Sequence, residues 1–295
     1  MQLGKVSVLI TAYNASRFIR HSIESVLRQS YPNIEVIVCD DCSTDNTLDV
    51  IRQFQDERIY VIQNPQNQGV SISRNNCIVR ATGDFIAILD ADDVWHINKI
   101  ERQVRFLAAN PDVGIVGTNA NEIDDSGLKI GRRCYPQKHR AILDHRLWAC
   151  PFLHSSIIVR REAMCQYSPG TKQAEDWELE SKILSEWKGA NLQEDLVSYR
   201  VHASNLTNSR AVEQRCAALE VVRDFPEIRN LSAYEFDLYS KIFNYELDRV
   251  DCAIAGLIVV AKLGRYSNFE RASRIRVAWL MGLAKNRIFR YIGLQ

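Results

Sequence analysis

The chain has 295 residues, of which 46% are hydrophobic and 25% are charged, and its formal net charge is +1. These values are ordinary for a soluble globular protein and leave ample apolar material for one large domain, or one and a half. The N-terminus has no basic region followed by a long apolar stretch, which excludes a secretory signal, so we expect a cytosolic protein without a nucleic-acid partner.

The first half of the chain alternates strand-like and helix-like patterns. β-branched and apolar runs predict four strands, at residues 6–10, 34–39, 59–62 and 85–89. Helical spacing of apolar residues predicts a helix between each pair, at Ile19–Leu27 with Ser16 as N-cap, at Leu48–Phe54 and at Ile72–Ala81. This β-α-β-α-β-α-β series predicts an α/β fold with a mostly parallel, Rossmann-type sheet covered by helices on both faces.

The second half has a mixed pattern. We expect a helix at residues 97–109, strands at 113–118 and 155–159 that add antiparallel members to the sheet, and a helix at 175–187. After residue 210 the sequence becomes mostly helical. We therefore predict a catalytic domain at 1–210, with halves at 1–95 and 96–210, and a helical C-terminal extension at 211–295.

Two carboxylates lie one residue apart at the end of the fourth predicted strand, which is an unfavourable way to stabilise a fold. Asp90 and Asp92 follow the apolar run Phe85–Leu89 directly. Neighbouring carboxylates disfavour each other's ionised form, so their joint presence is best explained by a cation with a phosphate beside it. The first hypothesis is therefore a metal-assisted site that acts on phosphate.

Further polar residues follow the other predicted strands. Thr11 and Tyr13 follow the first, Asp40 and Asp41 follow the second, and Arg74 lies in the helix before the fourth. Taken alone, the acids of the second group are ordinary loop or N-cap residues. Together the groups converge on the rim where ligands bind α/β sheets. At such a rim an aromatic ring can stack on a nucleotide base, and a carboxylate can accept a hydrogen bond from the imide of that base.

Several ordered segments resemble a known family. Four of them, VSVLITAYN (6–14), VCDDCSTDNT (38–47), GVSISRN (69–75) and GDFIAILDADDVW (83–95), resemble the nucleotide-binding half of family 2 inverting glycosyltransferases, which have the GT-A fold. Later, AEDW (174–177) resembles that family's E-D motif and YRVH (199–202) its Y-R-x-H segment. The resemblance covers about the first 205 residues, and its several motifs make it more specific than a lone D-x-D.

The resemblance implies roles on the donor side. Thr11, Tyr13 and Asp41 would line a uridine pocket, and Asp90 would face the ribose or the water shell of the metal. Asp92 would ligate Mg²⁺ or Mn²⁺ bridging the diphosphate, whose departure develops charge that a metal stabilises. Two more roles stay open: Arg74 either adds positive charge or forms a structural ion pair, and His202 either completes the metal shell or packs in the fold.

Asp176 is the candidate general base that the resemblance implies. In an inverting displacement the acceptor hydroxyl attacks from the face opposite the leaving group, so a carboxylate across the cleft from the metal must take its proton. The structural alternative is a carboxylate at the start of a helix, where it favours the dipole. His154 either sits near the acceptor or belongs to a polar turn.

One position departs from the family pattern. Cys42 stands where the family commonly has glycine, which predicts a tighter turn or a negative φ. Cys39 and Cys42 form a lone C-x-x-C, which lacks the second pair of a structural zinc site, so metal or redox chemistry is disfavoured. The eight cysteines are otherwise scattered, and most of them are better explained as small buried hydrophobes than as disulfide partners.

The end of the chain is basic. From Lys262 onward there are eight Lys or Arg against the single acid Glu270, so this tail carries +7. The apolar run at 252–261 is only about half of what a helix needs to cross a bilayer. The tail is either a solvated or packed helical appendage or a peripheral contact with an anionic membrane at the inner face of the plasma membrane, where a lipid-linked acceptor would be delivered.

The expected function is that of a metal-dependent inverting glycosyltransferase. It would use a UDP-sugar donor and a glycan acceptor, in the synthesis of a bacterial surface polysaccharide such as lipopolysaccharide or capsule. One alternative is a phosphatase of the haloacid dehalogenase type, because residues 89–94 also resemble its D-x-D-x-V, although that motif usually ends the first strand of the core. The other is a catalytically silent module that binds a nucleotide or glycan.

Overall fold

A computed structural model describes residues 3–171, 173–202 and 211–243. These residues fall into two compact units, one made of the segments up to residue 139 and from 152 to 202, and one made of residues 140–151 and 211–243. The predicted boundary at residue 210, the apolar run at 252–261 and the basic tail lie outside the described residues. Within the described ranges, no helix is long and apolar enough to span a bilayer.

The first unit is built on one mixed sheet. Its strands are β1 (Val6–Ala12), β2 (Ile34–Asp40), β3 (Ile59–Gln63), β4 (Phe85–Asp90), β5 (Val94–Trp95), β6 (Val113–Ile123), β7 (Lys129–Arg133), β8 (Ile158–Arg160) and β9 (Lys188–Arg200). Their order is β3-β2-β1-β4-β8-β6-β9-β5, with β7 paired to β6. β1 to β4 pair in parallel, whereas β8 is antiparallel to both β4 and β6. The predicted mostly parallel sheet with antiparallel additions is therefore confirmed.

Helices cover this sheet. In the first unit they are α1 (Ile19–Leu27), α2 (Thr47–Arg52), α3 (Val70–Arg80), α4 (Lys99–Ala109) and α6 (Glu175–Glu186). α1 forms because Ile19, Ile23 and Val26 recur at helical spacing and are fully buried against the sheet. The expected N-cap at Ser16 is wrong: Phe18 occupies that position without a side-chain cap, and the Ser16 amide donates to Asp45 instead.

The core explains why the first strands could be read from the sequence. β1, β2 and β4 are central strands with helices on both faces, so nearly every residue in them is buried. Val8, Val36 and Ala87 lie side by side in register and are fully buried. This packing fixes the carboxyl ends of the three strands along one rim.

The second unit is helical. It contains most of α5 (His139–His145), with α7 (Ala211–Arg223), α8 (Pro226–Arg229) and α9 (Ala233–Phe243). Tyr239 is fully buried and its ring lies 5.0 Å from that of Trp148. Arg146 pairs with Glu227 at 3.1 Å and lies over the ring of Phe225. These aromatic and charged contacts connect residues 140–151 with the later helices inside this unit.

Candidate active site

The carboxyl ends of β1, β2 and β4 form an acidic rim. Thr11 in β1 is the register partner of Asp90 in β4 and of Cys39 in β2. Tyr13 lies just beyond β1 and is half exposed, while Asp41 lies just beyond β2 and is buried. The structure therefore brings four of the residues singled out in the sequence to one edge of the sheet, as parallel strand ends require.

The carboxylate of Asp41 fixes the segment that leads into α3. It accepts hydrogen bonds from Asn64 Nδ2 at 2.7 Å and from the backbone amides of Gln68 and Gly69 at 2.9 and 2.8 Å. Gly69 has φ +88°, a backbone conformation that residues other than glycine rarely adopt. Asp41 thus orders the rim on the side where the uridine pocket is predicted.

Backbone conformations with positive φ occur in the turns that follow β1 and β2 at this rim. Among the described residues other than glycine they are found at Asn14 and Cys42 in these turns and at Gln173 before α6, with φ values of 51°, 60° and 70°. The expectation of a negative φ at Cys42 is therefore wrong. The turn reverses there because the Asp41 amide bonds the carbonyl of Ala12 while the Ser43 amide reaches back to Asp40. Left-handed residues of this kind are uncommon and concentrate in functional loops.

Arg74 connects the rim to the helix that carries the candidate base. Its guanidinium lies 2.9 Å from Asp90 Oδ1 and 3.5 Å from Glu175 Oε1, and the side chain is buried. Burial alone would lower the pKa of Arg74, but the ring of Tyr167 and the acids Asp90 and Glu175 outweigh it and raise the pKa. Arg74 therefore stays charged and forms an ion pair on each side. An ion pair was one of the two interpretations of Arg74 that the sequence left open.

The acidic loop after β4 holds two carboxylates in different surroundings. Asp92 Oδ2 lies 2.9 Å from Nε2 of His202, which returns at the end of β9. Asp93 is fully buried and accepts the backbone amide of Arg200 at 2.8 Å, and Arg200 also donates to the carbonyl of Asp92 at 2.9 Å. Arg200 and Asp93 thus fix the loop, which leaves Asp92 and His202 facing each other.

The donor set of this loop suits a divalent cation. Burial, and then the charge of Asp90, raise the pKa of Asp92, with His202 opposing them, so a cation would relieve an unfavourable charge. Across the described ranges no group of three or more His, Cys, Asp or Glu is arranged around a common point. Asp92 and His202 would supply two ligands, and Mg²⁺ in such sites takes the remainder from substrate phosphates and water. The residues present therefore fit a substrate-completed metal site.

Asp176 lies in the first turn of α6. Its Oδ1 accepts the amide of Trp177 at 2.7 Å. Burial, followed by the neighbouring charge of Glu175, raises the pKa of Asp176 to about 6, although the Trp177 amide and Arg74 act in the opposite direction. A carboxylate with this pKa is mostly ionised near neutral pH and still basic enough to accept a proton, which is the property of a general base.

Two buried residues near Arg74 have no counterpart in the sequence predictions. Tyr167 places its ring 5.3 Å below the guanidinium of Arg74, and Glu180 contacts His154 at 3.0 Å. His154 itself is buried, so it belongs to the packed turn before β8. Tyr167 lies in a loop without a recognisable motif, and Glu180 lies within an ordinary helical pattern, so neither carried a signal in the sequence.

A cavity of about 310 Å³ lies elsewhere in the first unit. It is lined by residues at the starts of β6 and β9, including Asp112 and Lys188, which pair at 2.6 Å. β6 runs in the same direction as β4, because both are antiparallel to β8. The cavity is therefore at the opposite edge of the sheet from the acidic rim and includes none of the candidate site residues.

Comparison with known proteins identifies the family. The family described as Glycosyl transferase family 2 matches residues 7–167, which contain the whole acidic rim. The chain belongs to this family. The glucosyltransferase WfgD of Escherichia coli, named as a UDP-Glc:alpha-D-GlcNAc-diphosphoundecaprenol beta-1,3-glucosyltransferase, is 31% identical over 224 residues, which are 75% of this chain and 87% of WfgD.

Solved structures of glycosyltransferases share the fold. TarS residues 1–349 of S. aureus in complex with UDP-GlcNAc superpose with a TM-score of 0.63 at 17% identity, over 98% of this chain and 92% of TarS. The mannosyltransferase PcManGT of Pyrobaculum calidifontis, solved with GDP-Man and Mn²⁺, gives a TM-score of 0.61 at 19% identity, over 98% of this chain and 82% of PcManGT. The expected GT-A fold is thus confirmed. The phosphatase alternative loses its support, because the acid pair follows the fourth strand and not the first.

Proposed function

We propose that this glycosyltransferase is metal-dependent and inverting, and that it moves a hexose or N-acetylhexosamine from a UDP-sugar to a lipid-linked glycan. The observation that carries the proposal is the position of Arg74. Its ion pairs with Asp90 and Glu175 join the strand rim, where the family binds nucleotides, to the helix start that holds Asp176. These two contacts support a donor site and a general base within one site.

The donor would lie along the acidic rim. Tyr13 is exposed and can stack on the uracil, while Asp41 has accepted three hydrogen bonds and retains about one lone-pair site, on Oδ2, for the imide of the base. Thr11 lies between these residues and Asp90, which suits contact with the ribose. The UDP-GlcNAc complex of TarS and the UDP-Glc donor in the name of WfgD support a UDP-sugar over other donors.

Asp92 and His202 would hold Mn²⁺ or Mg²⁺. When bound, the ion neutralises charge on the leaving diphosphate. The Mn²⁺ in the PcManGT structure supports a divalent ion in this fold. Arg74 leaves Asp90 only partly neutralised because it divides its charge between two acids, so the loop retains the negative potential that attracts a cation.

Asp176 would take the proton of the acceptor hydroxyl. The hydroxyl oxygen attacks the anomeric carbon as the bond from that carbon to the diphosphate oxygen breaks, and the released proton passes to the carboxylate of Asp176. Because attack and departure occur on opposite faces, the anomeric configuration inverts. A carboxylate pKa of about 6 allows both proton uptake during transfer and release to water afterwards near neutral pH.

The acceptor would be a glycan on a lipid carrier, in the synthesis of a surface polysaccharide. The diphosphoundecaprenol acceptor in the name of WfgD supports this choice. An enzyme with such an acceptor works at a membrane surface, so we also propose peripheral contact with the inner face of the plasma membrane. The division into a catalytic domain at 1–210 and an extension at 211–295 is part of the same proposal, with the basic tail from Lys262 as the membrane contact.

A thermal-shift screen tests the donor assignment. The purified chain is melted with UDP-, GDP- and TDP-sugars, each with and without Mn²⁺, and we expect the largest rise in melting temperature with a UDP-sugar plus Mn²⁺. The preferred donor is then incubated with a lipid-diphosphate-linked GlcNAc acceptor and the anomeric configuration of the product is read by NMR. Retention of configuration would contradict the proposed base, and UDP-sugar binding without transfer to any glycan would support the silent-module alternative.

A further inference from the structure

A buried hydrogen-bonded chain lies behind the candidate site. Nε2 of His154 is 2.7 Å from the hydroxyl of Tyr167, and Nδ1 is 3.0 Å from Oε1 of Glu180. All three residues are buried, with exposed fractions of 6%, 2% and 0%. Buried polar side chains that fully satisfy one another restrict their own rotamers, so this chain is a rigid feature of the fold.

The imidazole in this chain is neutral. Burial, and then the positive charge of Arg74, hold the pKa of His154 well below its usual range. A neutral imidazole donates at one nitrogen and accepts at the other, and the tyrosine hydroxyl can do either. Tyr167 is therefore hydrogen-bonded to His154 whichever nitrogen carries the proton, and its hydroxyl end stays fixed.

The backbone of Tyr167 is held as firmly as its hydroxyl. Asn75 donates through Nδ2 to the Tyr167 carbonyl at 2.9 Å, and its Oδ1 accepts the Tyr167 amide at 2.9 Å. Asn75 is the residue after Arg74 in α3. Both ends of Tyr167 are thus tied to the elements that carry the site, since Glu180 lies about one turn after Asp176 in α6.

The ring of Tyr167 supports the guanidinium of Arg74. Their separation, 5.3 Å from guanidinium carbon to ring centroid, is within the range of a cation–π contact. Arg74 is 6% exposed and must hold a long side chain between Asp90 on one side and Glu175 on the other. Without the Tyr167 ring beneath it, the guanidinium would have access to other rotamers in which it contacts only one of the two acids.

We propose that Tyr167, fixed by His154 and Glu180, is a positioning residue that holds Arg74 between the donor rim and the start of α6. This inference rests on the proposed function, because the distance that Arg74 sets is the one between the donor and Asp176. Tyr167 does not touch the reacting atoms. Its role is to fix the relative position of the two halves of the site, on which the rate of transfer depends steeply.

Substitution of the ring tests this role. Tyr167→Phe keeps the ring face but loses the hydroxyl that His154 holds, so kcat should fall by about threefold. Tyr167→Leu loses the ring, and kcat should fall about tenfold or more with little change in KM for the donor. If the leucine variant folds poorly, kcat is measured instead in Tyr167→Met, which has an apolar side chain without an aromatic face. Equal kcat in the phenylalanine and leucine variants would overturn the proposal.

A matched control separates positioning from packing. Tyr31 is also buried and donates a hydrogen bond from its hydroxyl to the Gly4 carbonyl at 2.5 Å, at the amino-terminal end of the sheet. Tyr31→Leu should lower the melting temperature as Tyr167→Leu does, but leave kcat per folded molecule unchanged. If both leucine variants reduce kcat in proportion to their loss of folded protein, Tyr167 only packs and the proposal is wrong.

The link to Arg74 is tested by a double-mutant cycle and by direct observation. In an Arg74→Gln background, which has no cation over the ring, Tyr167→Leu should cost less than about twofold in kcat, whereas the same tenfold loss in both backgrounds would overturn the link. A crystal structure of Tyr167→Leu should have the guanidinium displaced from Asp90 or Glu175, and an unmoved guanidinium would contradict the proposal. This readout needs no activity, so it remains decisive even if the proposed transfer reaction fails for the wild type.

Discussion

The replacement Asp176→Asn removes the proposed base while preserving the shape of the side chain. In the wild type the carboxylate accepts a hydrogen bond from the Trp177 amide at 2.7 Å. The amide oxygen of asparagine can accept the same hydrogen bond, so the start of α6 should stay in place. A positioned general base contributes about 10²- to 10⁴-fold to rate, so kcat should fall by that factor. Donor affinity should change little, because the donor binds along the acidic rim.

The pH dependence gives a second magnitude. The pKa of Asp176 is raised to about 6, and the ionised form is the active one, so activity is present above this pH and lost as the pH falls through it. A carboxyl with that pKa is about 90% ionised at pH 7 and about 10% ionised at pH 5, which predicts about a tenfold loss of wild-type kcat between them. The residual activity of Asp176→Asn should lack this acid limb.

The assay measures release of UDP during transfer from about pH 5 to pH 8, with donor affinity from calorimetry. Glu178→Gln is the matched control, because Glu178 is another acid in the first turn of α6 but is occupied by Ser168 and Lys182. If Asp176 merely stabilises the helix start, both variants should lose stability and neither should lose turnover. A wild-type rate in Asp176→Asn, or an unchanged acid limb, would refute the assignment.

Three further predictions concern the proposed metal ligands and the fold. Asp92→Asn should abolish the gain in UDP-sugar affinity on adding Mn²⁺, measured by calorimetry, whereas Asp112→Asn at the opposite edge of the sheet should keep it; a retained gain in the first variant would contradict the ligand role. His202→Ala should weaken the same gain about tenfold, and an unchanged titration would leave its ring a packing residue. Burial would raise the pKa of Glu35, but hydrogen bonds from Lys5 and from two hydroxyl groups lower it to about 2. The ionised carboxylate therefore stabilises the fold, and Glu35→Gln should lower the free energy of unfolding by about 2 kcal/mol at pH 7. That stabilisation is present above about pH 4 and is lost as the pH falls towards 2, so urea titrations in which Glu35→Gln costs the same at about pH 7 and pH 3 would contradict it.

The parallel part of the sheet could be predicted because its strands are buried on both faces. β1, β2 and β4 therefore read as continuous apolar runs, and the polar residues after them mark the rim. β9 was missed although it is the longest strand, because its middle carries the polar segment Gln193–Asp195 and its register against β6 shifts near there. A bulged, half-exposed strand lacks the periodicity on which such predictions depend.

The candidate site was predicted where motifs mark it and missed where long-range contacts build it. Asp92 and His202 are 110 residues apart, yet both stood in segments that resemble the family, so both could be singled out. The contacts of Tyr167 with His154 and Arg74 depend on three separate elements and on no local pattern. Networks of side-chain contacts between separate elements follow from the packed fold, and the amino-acid sequence alone does not indicate them.

The most direct test of the account is a crystal structure of the chain with UDP-GlcNAc or UDP-Glc and Mn²⁺. We predict the uracil beside Tyr13 and Asp41, the ion on Asp92 and His202, and the anomeric carbon facing Asp176. Density for the nucleotide in the cavity beside Asp112 and Lys188, or a bound sugar with Asp176 outside reach of its anomeric face, would contradict the account.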